Sequence, residues 1–412
     1  MTPTVLFYII IIVYSLFFIY SEVCTYLNLS YASHPLPLEI RDIYDETKRR
    51  QQLAYQKVNV RFSTVASLVM FTFVLLMICH NGFAFLDSLV RQWTDNTLLQ
   101  SLLFFGIFFG IQEIIELPFE IYDTFVIEER FGFNRTTPLT FITDQLKSLG
   151  IGIVLGGGLL TIIILIYNAI PDWFWLIAWG VVMAVSLFMS LFYSNLIVPL
   201  FNKQTPLEEG ELRTAIEQFA TKVNFKIDNI YVMDSSKRSS KANAYFTGWG
   251  KRKRIVLYDT LINTLTTDEI VAVLAHEIGH NQHHHTIKGI FSAAIQNLII
   301  FGLLGITLKY DIVAQAIGCQ VASFHINALV FFLLFKPVSE LIDIITNVIS
   351  RRHEYQADGF VKENGREQAL ISALKKLTTD SLGNPMPHPF VVFLQYSHPT
   401  LYQRIIKLKS ES

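Results

Sequence analysis

The segment His276-Glu277-Ile278-Gly279-His280 is the part of this sequence best suited to metal chemistry. Residues i and i+4 of an α-helix lie on the same face, so the two imidazoles could bind one tetrahedral metal ion. Glu277 would then lie beside a water molecule at the metal and could act as its general base. The pattern is typical of zinc proteases, and its alternative is a helix that carries two unrelated surface histidines and an ion-paired glutamate.

The residues around this motif predict a short strand followed by a helix. The run Arg254-Ile255-Val256-Leu257-Tyr258 has the β-branched and aromatic composition of a strand. Thr266 and Glu269 have the spacing of a capping box at a helix N-terminus. Apolar residues then recur at helical intervals and predict a buried face, formed by Ile270, Val273, Leu274 and Ile278.

Three more histidines, His283, His284 and His285, follow the motif directly. We interpret them as additional imidazoles near the site that are not metal ligands, because the first pair already has the required spacing.

A catalytic zinc ion needs a third protein ligand, and acidic residues near the C-terminus are the candidates. Glu354 and Asp358 are spaced i, i+4, so one carboxylate could bind the metal while the other orients a ligand imidazole. Glu340, Asp343 and Glu363 compete with them, and a solvated, ion-paired helix face is the alternative for the whole group. The spacing alone leaves this choice open.

The elements that must position these residues belong to a membrane protein. Hydrophobic residues make up 51% of the 412 residues and charged residues only 16%, against roughly 25% charged in a soluble domain. A bilayer core about 30 Å thick needs ~20 apolar residues in helical form. Seven windows approach that length: residues 3–20, 62–78, 98–117, 149–170, 173–200, 289–308 and 312–335.

The distribution of Lys and Arg between the windows predicts the orientation. The segment 201–288 contains 12 of them and the segment after residue 335 contains 10, whereas the segments on the other side contain none or few. Short cytoplasmic loops concentrate these residues. The N-terminus is therefore expected outside the cell or in a lumen, and the C-terminus in the cytoplasm.

We divide the chain into four parts that form one integrated domain. Residues 1–200 contain the first five spans, and residues 201–288 form a cytoplasmic segment with the His-Glu-x-x-His helix. Residues 289–335 contain spans six and seven, and residues 336–412 complete the metalloprotease module.

Charge and cysteine content exclude several classes of protein. The net charge of −1 gives no basic field of the kind that attracts nucleic acid. Cys24, Cys79 and Cys319 lie far apart in sequence, which argues against a disulfide scaffold and a cysteine-based metal site. We expect no nucleic-acid partner and find no sign of an obligate protein partner.

Taken together, these motifs closely resemble the Ste24 type I CaaX prenyl protease family. The metal motif agrees, and so do Ser350-Arg351-Arg352, Glu354-Tyr355-Gln356-Ala357-Asp358, Phe131-Gly132-Phe133-Asn134, Lys237-Arg238-Ser239-Ser240, Asn243-Ala244-Tyr245-Phe246 and Ser397-His398-Pro399-Thr400 with Arg404. With the seven spans, the resemblance covers essentially the whole sequence.

The resemblance implies an α-helical integral membrane protein in which seven transmembrane helices form a barrel around a water-filled chamber. A mostly α-helical, zincin-like module with a small β-hairpin or sheet would face that chamber. By position, His276, His280 and Glu354 would bind one Zn²⁺ per chain, Glu277 would be the general base, and Asp358 would hold a ligand histidine.

The resemblance also implies a substrate and a location. Asn243, Ala244, Tyr245 and Phe246 would pair with substrate backbone, while His398 would stabilise the oxyanion and Arg404 would contact substrate. Expected substrates are prenylated CaaX proteins, whose last three residues are removed while the lipid stays in the membrane. A eukaryotic member would lie in the endoplasmic reticulum and inner nuclear membrane, with a lumenal N-terminus, and a bacterial member in the plasma membrane.

Two other functions remain as alternatives at this point. One is a membrane quality-control zinc protease similar to HtpX, although such chains resemble shorter proteins with fewer spans. The other is a transporter or channel, suggested by Glu113 and Glu116 inside the third window. Against a transporter, the sequence has no matching pair of Gly- or Pro-broken helices.

Overall fold

The computed structural model describes residues 1–227, 229–247 and 254–410, with the side chains of Phe246 and Thr247 outside the description. Its helices are α1 Pro3–Tyr31, α2 Glu46–Cys79, α3 Gly82–Trp93, α4 Thr97–Tyr122, α5 Pro138–Ile151, α6 Gly158–Ala169, α7 Phe174–Leu196, α8 Val198–Phe201, α9 Glu211–Lys222, α10 Asp259–Thr264, α11 Thr267–Gln282, α12 His285–Thr307, α13 Ile312–Ala316, α14 Phe324–Glu363, α15 Glu367–Asp380, α16 Pro389–Gln395 and α17 Leu401–Lys409. Its strands are β1 Gln204–Pro206, β2 Asn229–Met233, β3 Ala244–Thr247 and β4 Arg254–Tyr258.

Six helical stretches in the described residues are long and apolar enough to cross a membrane. They are Pro3–Tyr31, Glu46–Cys79, Thr97–Glu128, Pro138–Ala169, Phe174–Phe201 and His285–Thr307. Each contains one of the first six predicted windows to within one residue, which confirms those predictions. The helices extend beyond the windows where polar residues continue them: α2 begins at Glu46, where Asp45 accepts a hydrogen bond from the Lys48 amide at 2.7 Å.

The seventh window, 312–335, is divided in the structure instead of forming one helix. The short helix α13 ends before Gly318, whose φ of +81° lies in the left-handed region. The helix α14 then starts at Phe324 and continues for 40 residues, about 60 Å at 1.5 Å per residue. Its apolar first half packs in the same core as the other membrane helices, so one helix joins the membrane region to the residues near Glu354.

Large apolar side chains fill the core between the membrane helices. Phe83, Phe104 and Phe174 have no more than 1% of their surface exposed, and aromatic contacts link α3 with α4 and α7 with α14. Many other apolar residues on these helices are exposed, as expected for helices that face lipid.

A second core lies around the sheet and α11, and Ile40, Ile43, Tyr44 and Phe133 from the first third of the chain pack into it. The four strands form a mixed sheet in the order β1-β2-β4-β3, in which β2 and β4 are parallel and the outer pairs are antiparallel. The predicted strand Arg254–Tyr258 is confirmed as β4. The helix α11 packs against α9, α14 and α15, and β3 is left at an edge of the sheet.

The predicted helix around the metal motif is also confirmed. Thr266 and Glu269 form both hydrogen bonds of a capping box at its N-terminus. Ile270, Leu274 and Ile278 are at most 2% exposed, whereas Val273 is half-buried and lines a cavity. The apolar face therefore fixes which side of α11 carries the motif histidines.

Candidate active site

Two histidines of α11 and one glutamate of α14 meet where these helices cross. The Nε2 atoms of His276 and His280 are 3.1 Å apart, and each lies 3.3 Å from a carboxylate oxygen of Glu354. In a tetrahedral zinc site with bonds of about 2.0–2.1 Å, the ligand atoms lie roughly 3.3 Å from one another. Two imidazoles and a carboxylate therefore have the chemistry and the spacing of a catalytic zinc site.

The carboxylate of Glu354 has the electrostatics of a cation ligand. Its Oε2 atom is buried and accepts no hydrogen bond from the described residues, a costly state for a charged oxygen without a further partner. Burial would raise the pKa of Glu354, but His276 and His280 outweigh that effect and hold the pKa well below its usual range. The group is therefore a carboxylate at neutral pH.

His276 is held from behind by a buried ion pair. Its Nδ1 lies 3.0 Å from Oδ1 of Asp358, and Arg404 binds both oxygens of Asp358 at 2.6 and 2.9 Å. Burial would raise the pKa of Asp358, but its bonds to His276 and Arg404 keep the pKa low. Nη2 of Arg404 also lies 3.2 Å from Nδ1 of His276. In the tautomer whose Nδ1 hydrogen is donated to Asp358, the Nε2 lone pair of His276 is directed at the metal position.

His280 has a different partner, which the sequence interpretation missed. Its Nδ1 lies 2.9 Å from Nδ1 of His285, and Nε2 of His285 lies 2.8 Å from Oε1 of Gln356. His285 is 7% exposed, whereas His283 and His284 are exposed. No local sequence signal distinguishes His285 from its two neighbours, because its burial depends on α14.

The close crossing of the two helices depends on a glycine. A Cβ atom at Gly279 would lie 3.0 Å from the Cα and the carbonyl oxygen of Ala357, closer than side-chain carbons normally approach backbone. The glycine therefore allows His276 and His280 to reach Glu354. The sequence places Gly279 inside the motif but does not reveal this contact.

A cavity of about 790 Å³ opens beside His276, His280 and Glu354. Glu277 is half-buried and lines it, next to His276 and His280, as expected for a general base. Residues of the membrane helices α7 and α12, including Ser190 and Gln296, line the same cavity. The site is therefore continuous with a space between membrane helices.

The predicted substrate-pairing segment lies at this cavity in part. Asn243 and Ala244 line it, and Ala244 begins the edge strand β3. Tyr245 instead directs its hydroxyl to Ser194, 3.0 Å away, on the other face of the strand. The backbone of Phe246 belongs to β3, but its side chain lies outside the described residues.

The C-terminal segment also reaches the site. Nε2 of His398 lies 3.3 Å from Oε1 of Glu354, and its side chain is 64% exposed. Arg404 lines the cavity but is only 9% exposed, because its guanidinium is bound to Asp358.

Arg351 holds the helix that precedes His398, a role not evident from sequence. Its guanidinium donates to the carbonyls of Val392, at 3.0 Å, and of Tyr396, both near the end of α16. The Val392 carbonyl also accepts from the Tyr396 amide at 3.2 Å, which closes the last turn of α16, and Tyr396 itself lies just past the end of that helix. Arg351 lies one turn before Glu354 on α14, so the same helix fixes both Glu354 and the segment that brings His398 to it.

Comparisons with known proteins agree with this arrangement. A family model described as the CAAX prenyl protease N-terminal region with five membrane helices matches residues 25–203. A second model, described as peptidase family M48, matches residues 206–412. The two models together span both the membrane helices and the metal site.

Individual relatives are similar over most of the chain. CAAX prenyl protease 1 of Saccharomyces cerevisiae is 35% identical over 400 residues, which cover 90% of this chain and 88% of the relative. The CAAX prenyl protease 1 homolog of Homo sapiens is 31% identical and covers 91% and 89%. The crystal structure of S. mikatae Ste24p matches with a TM-score of 0.93 and 32% identity over 98% of this chain and 99% of that chain. The predicted fold, a helical membrane protein with a metalloprotease module and a small sheet, is confirmed.

Proposed function

This chain belongs to the CAAX prenyl protease family of M48 metallopeptidases, and we propose that it removes the last three residues of proteins prenylated on a CaaX cysteine. The chain is an integral membrane enzyme. The observation that carries the proposal is the His276–His280–Glu354 cluster at a cavity shared with membrane helices. A lipid could remain among those helices while the peptide reaches the cluster.

We assign one Zn²⁺ to His276, His280 and Glu354. When bound, zinc supplies a Lewis acid that polarises the scissile carbonyl and lowers the pKa of water towards ~7. Asp358 keeps the Nδ1 hydrogen of His276 away from the metal position, and Arg404 holds Asp358 in place. The resemblance also implies that Arg404 binds substrate. Since Arg404 lines the cavity, a bound peptide could contact it there.

Glu277 supplies the proton transfers in this proposal. Its carboxylate lines the cavity, where it removes a proton from the attacking water and later delivers it to the leaving amine nitrogen. His398 lies near Glu354 with an exposed ring, so it can donate a hydrogen bond to the oxygen that develops negative charge.

The edge strand β3 is the proposed docking site for the substrate backbone. An edge strand has unpaired backbone groups that an extended peptide can use for added-strand pairing. Asn243 and Ala244 lie at the cavity, so a peptide paired with this edge would run past the metal cluster. Tyr245 and Phe246 complete the proposed segment.

We further propose a location in the endoplasmic reticulum and inner nuclear membrane if the chain is eukaryotic. The N-terminus would be lumenal and the C-terminus cytoplasmic, because the Lys- and Arg-rich segments 201–288 and 336–412 form the module with the metal cluster. The division of the chain at residues 200, 288 and 335 stays a prediction.

The test is mass spectrometry of the products formed from a farnesylated peptide ending in CaaX and from its unprenylated twin. We expect release of the last three residues, faster with the lipid. Glu277→Ala should retain zinc and lose turnover by several orders of magnitude, on the scale of a removed general base and its water. Glu354→Ala should lose zinc.

Other results would contradict the proposal. Scattered cleavage that ignores the lipid would indicate a quality-control protease, and full activity of Glu277→Ala would remove Glu277 as the base. Full zinc occupancy in Glu354→Ala would point to another third ligand.

A further inference from the structure

We propose that His285 and Gln356 form a neutral hydrogen-bond relay that fixes the tautomer of His280 and keeps its Nε2 available to the metal. This inference rests on the proposed function, in which His280 is a zinc ligand. It makes His285 and Gln356 positioning residues, since neither contributes an atom to the His276–His280–Glu354 cluster.

The relay is a continuous chain of three side chains from three helices. Gln356 Oε1 lies 2.8 Å from Nε2 of His285, and Nδ1 of His285 lies 2.9 Å from Nδ1 of His280. The ring of His285 is buried and stacks on His353 at 4.0 Å between centroids and 15° between planes. Its orientation is therefore fixed from two sides.

The direction of hydrogen bonding follows from the atom that Gln356 presents. With the Gln356 amide in this orientation, its carbonyl oxygen accepts, so Nε2 of His285 is the donor. A neutral imidazole has one N–H, which leaves Nδ1 of His285 as an acceptor. It then accepts the Nδ1 hydrogen of His280, and the lone pair of His280 is left on Nε2, the atom 3.3 Å from Glu354.

A reversed chain would block the metal. If a donor replaced Oε1 at this position, Nε2 of His285 would accept and its Nδ1 would carry the hydrogen. Nδ1 of His280 would then accept, and its Nε2 would carry a hydrogen directed at the metal position. The acceptor character of residue 356 therefore decides whether His280 can bind.

Position 356 is suited to a test because Gln356 is exposed, so substitutions there should not prevent folding. The experiment measures zinc affinity of the full-length protein in detergent by competition with a chelator, and the visible spectrum of the Co²⁺-loaded protein. Gln356→Glu keeps an acceptor, Gln356→Met removes it without adding charge, and Gln356→Lys replaces it with a donor.

We expect Gln356→Glu to bind zinc at least as tightly as the wild type. Gln356→Met should bind about 10-fold more weakly and Gln356→Lys up to about 100-fold more weakly, the range for lost outer partners of a metal-binding histidine. The Co²⁺ spectrum should change for Met and Lys and be preserved for Glu. If only packing mattered, Gln356→Glu and Gln356→Met would both weaken zinc binding. Retained zinc affinity in Gln356→Glu but not in Gln356→Met would therefore indicate the acceptor.

Two controls separate the relay from charge and from local structure. Arg352→Glu changes the charge at an exposed position four residues earlier on α14, and it should not reproduce the spectral changes. His283→Phe replaces an exposed ring beside His285 and should bind zinc as the wild type does, whereas His285→Phe should resemble Gln356→Lys.

The proposal is overturned if Gln356→Met binds zinc within twofold of the wild type, or if zinc affinity follows charge alone across all variants. Failure of the underlying function would be distinct. In that case the wild type would not bind one zinc, or His280→Ala would bind it as tightly as the wild type.

Discussion

Two distant regions of the molecule each contain a His–Asp–Arg trio, in which the aspartate contacts both the histidine and the arginine. At the metal cluster, His276 contacts Asp358 at 3.0 Å, and Asp358 is bound by Arg404. Between α3, α4 and α14, His325 contacts Asp87 at 2.8 Å, and Asp87 is bound by Arg91 at 2.9 Å. Both aspartates are at most 5% exposed.

The second ring nitrogen distinguishes the two trios. Nε2 of His276 faces Glu354 and His280 next to a cavity. The second nitrogen of His325, Nδ1, lies 3.0 Å from the hydroxyl of Ser101, and the ring has no exposed surface. A His–Asp–Arg trio can thus leave one ring nitrogen of the histidine available to bind a metal, or it can use both ring nitrogens in hydrogen bonds that join helices.

The comparison shows that residue types alone do not define a metal site. In both trios the buried aspartate is paired with an arginine and a histidine, and an unpaired buried charge would be costly. Only the trio with an unfilled nitrogen and a second imidazole can bind a metal. The other trio joins α3, α4 and α14 at one end of the membrane core.

The largest effect is expected from the same substitution in both trios. Asp358→Asn removes the charge that holds the Nδ1 hydrogen of His276, so zinc affinity should fall about 10- to 100-fold with a parallel loss of peptide cleavage. Asp87→Asn should leave zinc affinity unchanged. It should instead lower the free energy of unfolding by about 1–3 kcal/mol, because Arg91 loses its counter-ion.

The measurements are chelator competition for zinc and thermal unfolding of the zinc-free proteins in detergent. Equal loss of zinc affinity in both variants would break the comparison, since it would mean that the membrane trio acts on the metal at a distance. Unchanged zinc affinity in Asp358→Asn would show that His276 does not need its outer partner.

The sequence singled out His276 and Asp358 of the trio at the metal cluster but expected Arg404 to contact substrate, and it singled out none of the trio between α3, α4 and α14. The motif histidines share a helix and a fixed spacing, and the resemblance supplied Glu354 and Asp358. By contrast, Asp87 and His325 are separated by 238 residues, and no local pattern joins them. The capping box and the strand β4 were predictable because each depends on neighbouring residues.

Other features depended on tertiary contacts that the sequence does not encode locally. The seven windows of apolar residues predicted seven spans. The first six correspond to single helical stretches of the described residues, but the seventh is divided because a turn at Gly318 interrupts the apolar run. The sequence does not distinguish His285 from His283 and His284, because its partner Gln356 lies on α14, far away in the chain. The role of Arg351 likewise depends on a helix 41 residues later in the chain.

A second prediction concerns the helix crossing that keeps the metal trio open. Gly279→Ala would place a Cβ 3.0 Å from the Ala357 backbone and force α11 and α14 apart. We expect a loss of about 1–3 kcal/mol in the free energy of unfolding and weaker zinc binding. Thermal unfolding with and without zinc measures both.

Gly359 provides the matched control on the partner helix. A Cβ there would meet nothing within 4 Å, so Gly359→Ala should stabilise α14 by about 0.5–1 kcal/mol. If both alanines gave the same result, the close approach at Gly279 would not limit the site.

The smallest expected effect comes from the tie between α11 and α15, away from the metal. Glu269 accepts hydrogen bonds from Ser372 at 2.6 Å and Lys376 at 2.7 Å. Burial would raise the pKa of Glu269, but Lys376, Ser372 and the Thr266 amide outweigh it, so the pKa lies below its usual value of 4.5. Its stabilising contribution is therefore complete above about pH 4.5 and is lost as the pH falls below that value.

Glu269→Gln should lower the free energy of unfolding at pH 7 by about 1 kcal/mol. Because glutamine does not titrate, the difference from the wild type should shrink as the pH falls from 5 to 3.5. Unfolding of the zinc-free proteins across this range isolates Glu269 from the proposed zinc ligands, whose protonation would otherwise release zinc. A difference that grew at low pH would show that the pKa of Glu269 is raised in the folded protein and not lowered. A change in zinc affinity at pH 7 would show that the capping box also sets the position of His276.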